Sequence, residues 1–304
     1  MQLAIAAEAG GLDEFWIGDE GPAREPFSVL AAASGATSTI RLCIGVTNPY
    51  TRAHGLTAST AMTLHELSEG RFTLGIGAGG QLSLGPFSLT ADAPLNAVEG
   101  LIDTVKAARA GIDGPGYSAQ EHAVIGRAGE HEPAIYIGAR GPRLNALASR
   151  TCDGVFIAGM PPFRFADAIA AARSVRDVAV ALYPGVAFDD EALERQRPQM
   201  IWGLLDAPDV VRTRLRLDQS AVERAAADLV DGDESAARHL ITDDLARSLV
   251  LVGEPEVVAG ELAALVRQHR PTSVGLALIE HLGRPDVDRC AKTMELLRRQ
   301  LERD

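Results

Sequence analysis

Two rhythms alternate along the chain. Phe15, Trp16 and Ile17 form a short apolar run. Ile40, Leu42 and Ile44 alternate with Arg41, Cys43 and Gly45, and Phe72, Leu74 and Ile76 alternate with Thr73, Gly75 and Gly77. This period of two predicts strands. Between the last two runs, Ala61, Leu64 and Leu67 recur at i+3 spacing, which predicts a helix over 56–68 with one buried face, stopped at Gly70. Strand, helix and strand in this order make a βαβ unit, and ligands in such sheets bind where the carboxyl ends of the strands open.

The same alternation extends in both directions. Helices are predicted over 2–9, over 26–34 with Pro26 in the first turn, and over 95–110 with Leu95, Val98, Ile102 and Val105 on one side. Residues 81–94 read as a loop and 111–132 as a less regular stretch. Further strands are expected at 134–137, 154–158, 178–182 and 273–279, with helices over 142–151, 163–176, 255–269 and 286–302. Residues 189–248 read as mostly helical and longer than one crossover needs, a helical excursion spanning about 184–248. Seven strands alternating with helices predict a parallel α/β fold.

Length and composition narrow this further. A (β/α) barrel typically runs to ~250 residues, so the 304 residues are expected to form one TIM-type domain over 1–304. A net charge of −12 argues against nonspecific nucleic-acid binding and against docking on anionic membranes, so any anion site must be locally basic. Cys43, Cys152 and Cys290 are far apart and odd in number, which suggests reduced thiols and a cytoplasmic location. Neither they nor His54, His65, His122, His131, His239, His269 and His281 have the spacing of metal ligands, and no metal site is expected. No apolar run approaches a membrane span, and the first residues lack a basic-then-apolar signal pattern.

Three stretches carry candidate chemistry. Residues 75–80 (GIGAGG) fit G-x-G-x-x-G, but the expected continuation into Gly85-Pro86 rather than a helix weakens a dinucleotide fingerprint. Inward-facing Thr73, Gly75 and Gly77 leave room above a strand, either for the close approach of a flat ring or for a tight barrel interior. Residues 138–142 (GARGP) end a strand, free the backbone with two glycines and place Pro142 in a first helical turn. Unpaired N–H groups and the helix dipole there make a natural phosphate site, with Arg140 and Arg143 adding charge. Asp19-Glu20 closes the first predicted strand. Glu20 is the candidate proton donor if its site is dry enough to raise its pKa, and Asp19 the candidate for a structural or ring-binding hydrogen bond. Trp16 and Trp202 read as packing residues.

The stretches GVTNPYTR (45–52) and HELSEGRFTLGIGAGG (65–80) resemble the luciferase-like oxidoreductase superfamily. Within it they resemble the branch that uses the deazaflavin coenzyme F420, which includes the methylenetetrahydromethanopterin reductases. The resemblance runs from Ile5 to about Glu280. It implies a (β/α)₈ barrel whose first strand is missing from this chain. It also implies hydride transfer between F420 and a small organic substrate, and often a homo-oligomer such as a dimer. By resemblance, Gly45, Val46, Thr47 and Asn48 form a bulge with a non-proline cis peptide at Gly45–Val46, against which the ring rests. Gly77 and Gly79 lie beside it. Gly138, Ala139, Arg140, Gly141, Pro142 and Arg143 form the loop that holds the coenzyme phosphate, and Arg52 joins the arginines as part of a positive patch. The family often shows Asp-His where this chain has Asp19-Glu20, and Arg-His-Pro where it has Arg52-Ala53-His54. The alternatives are an FMN-dependent monooxygenase on the same scaffold, a non-catalytic flavin-binding homologue, and, on the glycine motif alone, an NAD-dependent dehydrogenase.

Overall fold

A computed structural model describes residues 1–119, 132–278 and 283–303. His122, His131, His281 and the predicted strand end at Ile279 lie outside the described residues, as does most of the stretch 111–132. The chain divides into two compact units, residues 1–156 with 171–178, and residues 157–170 with 179–304.

The first unit carries α1 (Gln2–Ala9), β1 (Glu14–Ile17), α2 (Pro26–Ser34), β2 (Arg41–Thr47), α3 (His54–Leu67), β3 (Phe72–Ile76), α4 (Gln81–Leu84), α5 (Pro94–Ala110), β4 (Ala134–Gly138) and α6 (Pro142–Thr151). β5 (Gly154–Ala158) pairs with β4 as far as Phe156. All pairings from β1 to β5 are parallel and follow chain order. Register places Ile17, Ile44, Leu74 and Ile135 in one row. Ile44, Leu74, Ile135, Ile137 and Val155 are fully buried, as are Ala58 and Ala61 of α3 and Val98, Leu101, Ile102 and Val105 of α5. Each such Val, Leu or Ile contributes about 1.5–3 kcal/mol on burial. The opposite face of the same strands carries Trp16, Thr73, Gly75, Tyr136, Gly154 and Phe156. Trp16 stacks on Phe156 at 4.2 Å between ring centroids and meets Tyr136 edge-on at 5.8 Å. Gly154 makes room for Tyr136, because a Cβ there would stand 2.5 Å from the Tyr136 ring. The assignment of Trp16 to packing agrees with this cluster.

Local chemistry sets the element ends. The Glu25 carboxylate caps α2, accepting from Ser28 N at 2.7 Å and Phe27 N at 3.3 Å. Glu8 of α1 accepts from the backbone N–H groups of Ser38, Thr39 and Ile40 and fixes the turn that enters β2. Arg71 donates to Ser34 O, Thr37 O and Ile40 O from the start of β3. The loop expected over 81–94 is corrected. Its first part is the short α4, followed by a 3-10 turn at Gly85–Phe87, so the glycine motif does run into a helix, though one of only four residues.

The second unit carries α7 (Phe165–Ala172), β6 (Ala179–Tyr183), β7 (Val186–Ala187), α8 (Asp190–Gln196), α9 (Met200–Leu205), α10 (Asp209–Leu215), α11 (Gln219–Val230), α12 (Ser235–Leu240), α13 (Asp243–Leu249), β8 (Leu251–Val252), α14 (Pro255–His269), β9 (Ser273–Val274) and α15 (Arg284–Leu301). β6 pairs with β9 in parallel through Ala181↔Ser273 and Leu182↔Val274. The helical excursion is present and has its own core of Leu193, Ile201, Leu204, Val222, Ala225 and Ile241. The pattern did not predict that β7 and β8 bracket this excursion as a parallel pair. Among the described residues the last strand is Ser273–Val274, with a bridge from Gly185 to Ala277 beyond it.

Candidate active site

The carboxyl ends of β1 to β4 converge in the first unit, and the site is built from them. β2 loses its regular register against β3 between Ile44 and Thr47, and the Gly45–Val46 peptide bond is cis, as the resemblance implied. Gly45 lies against the aromatic cluster, where a Cβ would stand 2.8 Å from Trp16 Cε3 and 2.9 Å from Phe156 Cε1. Val46 points into a socket made by three glycines. A Cβ at Gly75 would stand 2.9 Å from Val46 Cγ1, one at Gly77 2.6 Å from Cγ2, and one at Gly138 2.4 Å from Cγ1. The space above Gly77 and Gly138 is filled by the Val46 side chain, and above Gly75 the Ile44 carbonyl oxygen is nearer still, at 2.2 Å.

Thr47 and Asp19 tie β2 to β1. The buried Thr47 hydroxyl donates to Asp19 Oδ2 at 2.7 Å. Next to it, Glu20 is exposed as a residue, while protein around its carboxyl withdraws part of that group's water. Lost hydration pushes its carboxyl above the usual carboxylate range, Arg140 opposes the shift and Asp19 adds to it. Arg140 at the end of β4 thus acts electrostatically on Glu20 at the end of β1, so the structure gathers Asp19, Glu20, Thr47 and Arg140 at one edge.

Gly141 is the N-cap residue of α6, with no side chain capping the helix and Pro142 in its first turn. The first N–H groups of α6 therefore keep the partial positive charge of a helix start. Gly141 has an ordinary extended conformation (φ −99°, ψ 151°), and a Cβ there would meet nothing within 4 Å. Neither backbone nor packing requires glycine at this position, and the space beside it is open. Ala139 is half-buried, while Pro142 and Arg143 are exposed.

Other candidates are committed elsewhere. Asn48 is buried, and its Oδ1 accepts from Tyr50 N at 2.9 Å and Thr51 N at 3.1 Å, holding its own loop. Arg52 pairs with Glu25 at 2.7 Å and lies 4.7 Å above the Phe27 ring, so its charge is already matched. Gly79 is left-handed (φ 73°) and packs against Leu84. His54 opens α3, half-buried and 3.6 Å from where a Gly100 Cβ would stand. The pattern also missed Glu25, signalled only by Glu-Pro at a helix start, and Tyr50, whose hydroxyl donates to Asp92 O at 2.8 Å with no local signal.

Fold and site define a class: a parallel α/β enzyme of the TIM-barrel type whose polar groups gather at the strands' carboxyl ends. The chain belongs to the luciferase-like monooxygenase family, whose profile it matches over residues 1–270. A 5,10-methylenetetrahydromethanopterin reductase from Methanolobus tindarius is 31% identical over 269 residues, which span 83% of this chain and 82% of the relative. An F420-dependent glucose-6-phosphate dehydrogenase from Beutenbergia cavernae is 26% identical over 272 residues, 80% of each chain. Among solved structures, the coenzyme F420-dependent tetrahydromethanopterin reductase from Methanopyrus kandleri superposes with a TM-score of 0.76 at 24% identity, covering 96% of this chain and 92% of the other. The fold is therefore that of luciferase-like oxidoreductases. Among the described residues, no helix is long and apolar enough to cross a membrane.

Proposed function

We propose that this chain is an F420-dependent oxidoreductase that moves a hydride between the deazaflavin and a small organic substrate. The observation that carries the reading is the pairing of functions at one edge. A carboxyl with a raised pKa, Glu20, lies within electrostatic reach of Arg140, in the loop that opens the uncapped helix α6. The open space at Gly141 fits a phosphate approaching the first N–H groups of α6, with Arg140 and exposed Arg143 offsetting its charge in an otherwise acidic protein. The Gly45–Val46 bulge, backed by the glycine socket, offers the surface for a flat ring.

When bound, the coenzyme supplies or accepts the hydride. The chain's own residues bind, orient and handle the proton. Asp19 is held by Thr47, and its negative charge helps the neighbouring Glu20 keep its proton. Glu20, easier to protonate than an ordinary glutamate, donates the proton that accompanies the hydride or takes it back in reverse.

The test is a titration of the purified chain with F420 and with FMN, followed by fluorescence. Saturable binding of F420 in preference to FMN, weakened by Gly141→Asp, is the expected result. Preference for FMN would favour the second reading, an FMN-dependent monooxygenase, which the description of the matched family supports. Binding of neither would refute a flavin-type enzyme and leave a non-catalytic structural homologue.

A further inference from the structure

The loop that follows β3 carries a feature the coenzyme reading leaves unused. Leu82, Phe87 and Leu89 are 37%, 49% and 36% exposed within eight residues. The loop is tied to the site at both ends. Gly21, directly after Glu20, is left-handed, and a Cβ there would stand 2.9 Å from Leu82 O and 3.2 Å from Pro86 Cγ. At the far end, Asp92 O accepts from Tyr50 of the β2 loop. The loop is also closed on itself: Leu89 N donates to Leu84 O at 3.1 Å and Ser88 N to Gly85 O at 2.9 Å. Three apolar side chains are therefore held in fixed backbone beside the candidate proton donor. Residues 81–94 contain no Lys, Arg or His, and Asp92 is their one charged residue.

We infer that the substrate is an uncharged molecule with an apolar body, which lies on Leu82, Phe87 and Leu89 while its reacting carbon faces the coenzyme ring. This deepens the proposed function and rests on it for the position of the ring. A phosphate or other polyanionic group laid on this loop would find no cation on it, whereas the cation nearest the site, Arg140, lies on the Glu20 side and is assigned to the coenzyme. An apolar body gains instead from leaving water on a surface that is already ordered, so little loop entropy opposes binding. Continuity with the Glu20–Gly21 turn marks the substrate as the occupant rather than a second copy of the chain.

The test uses the full chain and the uncharged lipophilic dye N-phenyl-1-naphthylamine, titrated with and without saturating F420. Saturable fluorescence enhancement is expected in both cases. The double variant Leu82→Ser/Phe87→Ser should weaken dye binding about tenfold, the effect of losing roughly 55 Å² of apolar contact at ~25 cal/mol per Å². F420 affinity should stay within about twofold, and Phe87→Leu should largely restore dye binding. Dye binding that is absent, or unchanged by the double variant, would overturn the inference. So would loss of self-association in sedimentation with dye binding intact, which would make the patch a contact between copies. Reduction of F420 by glucose 6-phosphate would overturn the uncharged class. Failure of F420 to bind while the dye still responds to the variants would refute the coenzyme reading and leave the apolar surface standing.

Discussion

The glycine socket around Val46 makes a sharp energetic prediction. The three atoms nearest to a Cβ built on Gly138 all belong to Val46, at 2.4, 3.4 and 3.5 Å. Gly138 ends β4 without a left-handed backbone, so alanine is conformationally acceptable there. Gly138→Ala therefore introduces one collision between side chains, and overpacking of this kind costs about 1–3 kcal/mol. Val46→Ala removes two methyl groups from the socket, a loss of about 1–2 kcal/mol for a half-buried side chain. In the double variant the new methyl occupies the space the old ones left. The two costs should then fall short of additivity by about 1–2 kcal/mol.

Gly75 supplies the control. Its Cβ would stand 2.2 Å from the carbonyl oxygen of Ile44, a backbone atom that Val46→Ala does not remove. Gly75→Ala should be more damaging than Gly138→Ala and only weakly relieved by Val46→Ala. Urea unfolding of the three single and two double variants, with midpoints and slopes compared, measures both cycles. Additive costs for the Val46–Gly138 pair, or strong rescue of Gly75→Ala, would refute the socket.

Three further outcomes follow from the charges. The Glu20 carboxyl, followed by NMR titration, should protonate above the ordinary glutamate range; Asp19→Asn should lower that pKa and Arg140→Gln should raise it, because Asp19 favours and Arg140 opposes the proton. Substituting Arg140 and Arg143 by Gln should weaken F420 binding and flatten its salt dependence, whereas Arg52→Gln should change it little, since Arg52 is matched by Glu25. Glu8 is held down to about 2 from 4.5, first by its hydrogen bonds from the Thr39 and Ile40 backbone. Its folded pKa is depressed, so its stabilisation is present above pH 4.5 and is lost as pH falls toward 2. Solvent screening leaves about 1–2 kcal/mol of it, and Glu8→Gln should remove both that stability and its acid dependence in thermal melts.

What the sequence revealed is what local chemistry controls. Alternation found β2 and β3, short apolar runs bounded by turn residues found β1, β4, β5 and β6, and Glu-Pro and Gly-Pro marked the starts of α2 and α6. The bulge at Gly45–Val46 was visible only through resemblance, since nothing in three neighbouring residues dictates it. The misses depend on distant partners. β7 and β8 are two residues each and pair across some sixty positions, too short to show a period. Arg52 looked available for an anion until the fold placed Glu25 2.7 Å away. The tie from Tyr50 to Asp92 spans 42 positions.

The glycines of β3 show how such a miss changes a functional reading. Glycine in a strand records that something approaches closely but not what approaches. A ring and a neighbouring side chain leave the same mark in a sequence. Here the neighbours are Val46 and, at Gly75, the Ile44 carbonyl oxygen, so close packing within the protein is enough to keep these positions small. They let Val46 sit deep, and its depth sets the height of the Gly45–Val46 surface. A larger residue at 75, 77 or 138 would lift that surface without touching a ligand. Its effect should appear as weakened ring binding with the phosphate end unaffected. Comparing the affinity of Gly138→Ala for F420 with its affinity for the isolated deazaflavin ring measures this. An equal fold-loss for both places the damage at the ring, and a loss confined to F420 would place it at the α6 helix start instead.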